Sequence, residues 1–369
     1  MHALKKNYLF LILLLSFVNP MFAVSEEETE ENTEVEEEKE YIADVVEDFI
    51  KYEGFFETYQ DPKSSDIYLV INENQLNEEF IYFAHVVDGV VAARRNRGSY
   101  LDNGVFKIEK HFETLRLSRI NTSYTLNKET ALSRSEGANI SDSVLSSLSI
   151  KAKNKEENRF LINVTSLFLS EELTPIKPIP SPFENEKSFR WGQVSSSKSK
   201  IEGIHNYPNN TDIEVELVIE SAPSYNYEEE DVADSRNVSI KMRYSFIGMP
   251  DNNFEPRLAD QSIGYFSEKI TDLSSDDATP YLDLIHKWDL QKKNPELEIS
   301  EPINPIIFWL ENTTPIKFRG YITEGLLAWN EAFLKAGIKN AIEVKIQPDD
   351  AEWDAGDIRY NVSVSYTHL

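Results

Sequence analysis

Alternating apolar and polar positions dominate the middle of the chain. Residues 212–221, DIEVELVIES, set Ile213, Val215, Leu217 and Ile219 against polar neighbours, the period of a strand with one buried face. Comparable runs at 80–87, 105–112, 114–120, 123–126, 159–164 and 237–249 predict further strands. GFFETYQ and IYLVI flank DPKSSD, where Asp61-Pro62 and Ser64-Ser65-Asp66 are turn formers, so this pair predicts a hairpin. Strands this closely spaced predict an antiparallel meander or sandwich. Two stretches read instead as helix: 41–49, through Ile42, Val45, Val46 and Phe49, and 138–152, with Ile140, Val144, Leu145 and Leu148 inward.

The pattern changes at residues 314–362, where the period becomes that of a long amphipathic helix. Ile322, Leu326, Trp329 and Phe333 fall on one face, while Glu324, Glu331 and Lys335 fall elsewhere. Thr314 is placed to cap this helix, with Pro315 at its first position and Gly337 just past its end. Ile342, Val344 and Ile346 then alternate as a strand for the helix to pack on, and an acidic loop leads to a second strand at 358–362. Proline punctuation before this block puts a domain boundary near Ser300.

Composition divides the chain further. Residues 1–23 combine Lys5 and Lys6, an apolar run over 8–18 and Met21-Phe22-Ala23, a secretory signal with cleavage expected after Ala23. The run is too short to read first as a membrane span, so the mature chain is expected to carry no integral membrane segment and to be periplasmic or extracellular. Residues 24–40 form an acidic run with almost no apolar side chain, predicted to be a disordered linker. Losing the signal removes two lysines and no acid, taking the formal charge from −27 to −29, which disfavours nucleic-acid and anionic-membrane partners. There is no cysteine, so disulfides and a thiol latch on a metal are excluded. Residues 175–200, rich in proline and serine, predict a long irregular excursion. A second acidic loop at 228–234 falls where the β-rich region, 41–299, divides if it has two subdomains, near 222–236.

The block SEPINPIIFWLENTTP, GLLAWNEAFLKAGIKNAIEVKIQP and DIRYNV resembles the start of the catalytic domain of large secreted bacterial zinc-dependent metalloproteases of the metzincin type. YEGFFETYQDPKSSDIYLVI and NYPNNTDIEVELVI are similar to recurring stretches of that family's β-rich N-terminal domain, whose function is unsettled. Arg257, Asp260, Gly264, Tyr265 and Phe266 match another family stretch, from which Gln261 and Ser262 depart. The resemblance implies an incomplete α+β catalytic domain at 300–362, Zn²⁺ in the complete enzyme and protein or peptide substrates. It ends at Val362, and 363–369 resemble a non-native translated adapter tail.

Such a zinc site needs two histidines one helical turn apart with a glutamate between them. The histidines are His2, His85, His111, His205, His286 and His368, no two within five residues, so no catalytic, cofactor or metal residue is assigned and the fragment is expected to be inactive without bound zinc. His111 near Glu113 and His286 near Asp289 read as structural. Arg94-Arg95-Asn96-Arg97-Gly98 is the one tight basic cluster, a surface loop or a dock for an acidic segment. Asp349, Asp350, Glu352, Asp354 and Asp357 could offer oxygens to Ca²⁺ but lack the EF-hand spacing, so a solvated loop is expected. Asn-x-Ser/Thr triplets at Asn121, Asn139, Asn163, Asn209, Asn237, Asn312 and Asn361 read as composition. The competing reading is a non-catalytic exported β module that binds protein or glycan through Trp191 and surface tyrosines.

Overall fold

The computed structural model describes residues 41–135, 140–177, 189–221, 232–252 and 254–364. The expected signal and linker lie outside the described residues, as do residues 178–188 of the irregular excursion, 228–231 of the second acidic loop and 365–369 of the tail.

The chain is mainly β, as its alternation predicts. Its first half supplies β1 (Ile50–Tyr52), β2 (Glu57–Gln60), β3 (Ile67–Asn72), β4 (Glu79–Asp88), β5 (Tyr100–His111), β6 (Thr114–Arg119), β7 (Tyr124–Thr125), β8 (Ser143–Lys153) and β9 (Arg159–Asn163). The second supplies β10 (Gln193–Val194), β11 (Lys200–Tyr207), β12 (Asn210–Glu220), β13 (Asn237–Gly248), β14 (Ser267–Asp272), β15 (Tyr281–Ile285), β16 (Ile306–Leu310), β17 (Ile342–Ile346) and β18 (Asn361–Ser363). Two short helices, α1 (Ile42–Val45) and α2 (Thr165–Phe168), precede α3 (Ile316–Leu327) and α4 (Trp329–Lys335).

One 12-stranded antiparallel sheet runs β1-β2-β3-β9-β8-β6-β5-β4-β13-β12-β10, with β11 also on β12. Its two ends meet. The Phe55 N–H donates to Tyr207 O at 2.8 Å, and Asn206 Nδ2 donates to the carbonyls of Tyr52 and Phe56 at 2.9 and 2.7 Å. Residue 54 must be glycine here, because a Cβ would lie 1.9 Å from Asn206 Oδ1. Inward residues from both ends share one core, including Phe56, Phe80, Tyr82, Ile213, Tyr244 and Phe246. Leu167 and Phe168 of α2, with Leu173 and Ile176 after it, join that core, and the Tyr82 hydroxyl bonds Thr174 Oγ1. A separate three-stranded sheet has the order β15-β14-β7.

The helix expected over 138–152 is instead β8 within the described residues. In its pairing with β6, Leu117 faces Ser146 but Ser118 faces Val144, so Leu145 is an extra, bulged residue. That phase shift leaves Leu145 and Leu148 both packed on the core, three residues apart, which imitates helical spacing. Ser146, Ser147 and Ser149 add little helix propensity to resist the strand.

In the C-terminal block, β16 is the centre of a parallel sheet with β17 on one side and β18 on the other. The chain between β16 and β17 forms α3 and α4, divided at Ala328. Thr314 does not cap α3. The N-cap is Pro315, without a side-chain cap bond, while Thr314 is buried and its carbonyl accepts from Arg319 Nε at 2.8 Å. Trp329, expected inward, is exposed. Asn330 takes the inward place and bonds the Ile342 carbonyl and N–H at 3.0 and 2.8 Å, tying α4 to β17. Gly337 does terminate the helix with φ +85, its N–H reaching Leu334 O and that of Ile338 reaching Phe333 O. Ser300, near which the boundary is expected, is tied to this block through Gly337 and Lys339.

Candidate functional site

The polar side chains that converge most closely lie along the seam between the large sheet and the C-terminal α/β block. On the outward face of the sheet, His85 of β4 is in register with Arg243 of β13, which is in register with Glu214 of β12. Arg243 Nε donates to Glu214 Oε1 at 2.9 Å, and its Nη1 lies 3.7 Å from Asp212 Oδ2. His205 Nε2 lies 3.8 Å from Glu214 Oε2. Strand alternation creates this row, since the same residues whose neighbours fill the core must face outward.

Burial sets the electrostatics of the row. Desolvation, and then the positive charge of Arg243, hold His85 below the ordinary histidine range, so it is neutral near pH 7; its Nδ1 is buried without a hydrogen-bond partner. Asp212 is pushed up by desolvation, opposed by bonds from Asn210 and Ser245 and by Arg243. Arg243 is held up by Glu214 and Asp212 in spite of desolvation, which by itself lowers it.

The acidic loop of residues 349–357 is largely solvated, as expected, with Asp349, Asp350, Glu352 and Asp354 exposed, but its end is bonded to the large sheet along the seam. The Tyr207 hydroxyl donates to Asp354 Oδ1 at 2.6 Å, and Asn210 Nδ2 donates to Gly356 O at 3.0 Å. The Ile358 N–H returns a bond to Asn210 Oδ1 at 3.1 Å. Asp357 is buried and forms a forked pair with Arg359, with Nε–Oδ1 and Nη2–Oδ2 at 2.9 and 2.6 Å. Beside it Trp353 stacks on Tyr360 with centroids 3.9 Å apart, and Trp309 meets both rings edge-on. With Asp354 and Asp357 committed in this way, the loop brings no three acids together. Among the described residues, no group of three His, Cys, Asp or Glu side chains is placed to hold a metal ion.

The other singled-out residues are dispersed. His111 lies edge-on to Phe112, and Glu113 reaches Lys153 at 2.8 Å. His286 pairs with Glu268 of β14 at 3.5 Å and not with Asp289. His2 and His368 lie outside the described residues. Within the arginine cluster, Arg95 turns inward to the Ile176 carbonyl, Arg97 lies 3.7 Å from Asp88 and Arg94 is exposed. An open cavity of about 520 Å³ lined by Asn72, Glu73, Asn74, Asn158 and Arg159 has its arginine already bonded to Asn72. Tyr207 and Asn210 fall within the stretch NYPNNTDIEVELVI and Arg243 within the 237–249 strand run, but nothing in either stretch marks these residues as a site.

A match to the family described as Domain of unknown function (DUF5117) spans residues 98–293, more than half of the chain. The chain belongs to that family. No curated protein and no solved structure matches it. The matched DUF5117 region runs from β5 through β15 and so includes Tyr207, Asn210 and Arg243, whereas Asp354, Gly356 and Ile358 lie beyond it. Among the described residues, no helix is long and apolar enough to cross a membrane.

Proposed function

We propose that this chain is the N-terminal part of an exported zinc-dependent metallopeptidase, in which the DUF5117 region is an accessory β domain and residues 300–362 begin the catalytic domain. The observation that carries the reading beyond sequence resemblance is the unfinished packing of the α/β block. Neither α3 nor α4 has a fully buried residue, and Ile316, Tyr321 and Trp329 are 82%, 76% and 63% exposed. A helix pair with that much apolar surface calls for another layer of protein. β17 and β18 are the outer strands of their sheet and offer edges for more strands.

The residues described here do not fit a catalytic zinc, so no step is assigned to them. In the proposed complete enzyme sequence beyond Val362 would hold the zinc ion, which would supply Lewis-acid chemistry for peptide hydrolysis. The rival reading, a binding module using Trp191, has less support. Arg95 lies 5.7 Å over the Trp191 ring, which is partly buried against the core.

The test is the coding frame downstream of Val362 together with its product. The reading expects a His-Glu-x-x-His helix within roughly the next hundred residues and casein cleavage by the longer protein that a chelator abolishes. The protein ending at Val362 is expected to cleave nothing. An in-frame stop without the motif, or zinc-dependent cleavage by residues 24–362 alone, overturns it.

A further inference from the structure

The tip of the β11–β12 hairpin is bonded on three sides. Its Tyr207 carbonyl accepts from Phe55, its Asn209 carbonyl accepts from Gly248 at 2.9 Å, and its Tyr207 and Asn210 side chains hold the 354–358 turn. The first two bonds fix the tip to the wall of the sheet. The third set reaches across about 150 positions of sequence to the α/β block, a separation at which ordering a loop needs specific contacts to offset its entropy.

Asn210 carries the argument furthest. It is 2% exposed, so its amide must be fully bonded within the protein. Its Nδ2 reaches Gly356 O and Asp212 Oδ1, and its Oδ1 receives Ile358 N–H. A carbonyl and an N–H two residues apart are the pair that a residue of a parallel strand engages on its neighbour. Asn210 therefore stands in for a missing strand residue beside Asp357. The fit is close, because a Cβ on Gly356 would lie 2.8 Å from the Tyr207 hydroxyl and 3.3 Å from Arg243 Nη1.

The turn so held leads directly into β18, which is paired with β16 over only three residues, Asn361, Val362 and Ser363. So short a ladder is marginal by itself. We propose that the hairpin tip is a docking site for the Asp354–Ile358 turn, and that this docking sets the position and order of β18. The large sheet thereby governs whether one side of the α/β sheet is formed. This inference does not depend on the peptidase reading, since the coupling exists whatever the α/β block does.

Hydrogen–deuterium exchange on the full chain tests it, comparing wild type with Asn210→Ala and with Tyr207→Phe. In Asn210→Ala, exchange in peptides covering 354–363 is expected to rise tenfold or more, while amides of β4, β12 and β13 keep their protection. Tyr207→Phe, which removes one bond and no packing, is expected to give a smaller rise confined to the same peptides. Unchanged protection at 354–363 in both variants overturns the proposal. A rise of equal proportion in the large sheet also overturns it, because the tip is then only part of the general fold. Should Asn210→Ala fail to fold, Tyr207→Phe decides alone: a local rise supports docking, and none refutes it.

Discussion

Arg95→Met separates a structural arginine from an anion-binding one. Arg95 donates through Nε to the Ile176 carbonyl at 2.8 Å and covers the Trp191 ring at 5.7 Å. Ile176 is fully buried, so losing the guanidinium leaves its carbonyl without that bond, a cost of about 1–3 kcal/mol. The contact with Trp191 adds about 0.5–1 kcal/mol. Burial opposes both, because it disfavours the charged arginine and pushes its pKa down, and methionine retains much of the aliphatic packing. The net loss is about 2 kcal/mol. With a urea m-value near the top of the usual range, about 3 kcal/mol/M, that moves the unfolding midpoint down by roughly 0.7 M. Arg94→Met, made on the adjacent exposed residue, is expected to stay within about 0.5 kcal/mol of wild type. Urea titration followed by tryptophan fluorescence measures both. Equal midpoints for the two variants refute the structural assignment, and a loss of binding to an acidic peptide in Arg94→Met without loss of stability restores the cluster as an anion dock.

Three further outcomes are expected. Phe246 lies among Phe56, Phe80, Tyr82 and Phe168 with centroids 5.5–6.0 Å away, so Phe246→Ala is expected to cost about 3–5 kcal/mol by chemical unfolding; under 1.5 kcal/mol contradicts a rigid shared core. His85 is held below 6.5, so the unfolded chain takes up its proton first: its stabilisation is complete above pH 6.5 and is lost as pH falls through the folded value. His85→Gln is accordingly expected to flatten the stability–pH curve on the acid side of 6.5, and an unaltered slope in thermal melts rejects this. Asp212 is held above 3.8, so its contribution runs the other way and stability declines as pH rises from 3.8 through its folded value; Asp212→Asn is expected to match or exceed wild type at pH 7 and to lose that advantage as pH falls below 3.8, where the carboxyl becomes protonated in folded and unfolded chains alike.

Strands with one buried face were legible because their period is enforced by the core. The 212–221 and 237–249 runs emerge as β12 and β13, and Ile213, Val215, Leu217 and Ile219 are inward as expected. Where the backbone breaks period, pattern misleads: one bulged residue, Leu145, is enough to make β8 look helical. The helix ends show a similar limit. Gly337 was readable because its left-handed backbone is a local requirement, whereas Thr314 falls one residue before the Pro315 N-cap, buried with its hydroxyl oxygen unbonded, and so gives α3 no cap. Trp329 and Asn330 are adjacent, and hydrophobicity chose the wrong one; the amide is inward because it bonds both polar groups of Ile342.

The seam marks the boundary of what local pattern can reveal. An aspartate-rich loop reads as solvated because isolated carboxylates cost too much to bury. Here Asp357 is buried because Arg359, two residues on, neutralises it, and Asp354 is held because Tyr207 donates to it from another part of the chain. The first partner is visible in the sequence; the second is not, nor is Asn210, whose two bonds to the turn depend on a hairpin formed far upstream. The same long-range origin gives the seam its meaning. Residues of the DUF5117 match supply the tip, and residues beyond it supply the turn, so the two regions are joined by directional bonds to backbone groups more than by a broad apolar contact. Bonds of that kind fix register, and β18, with only three paired residues, has little of its own to fix it.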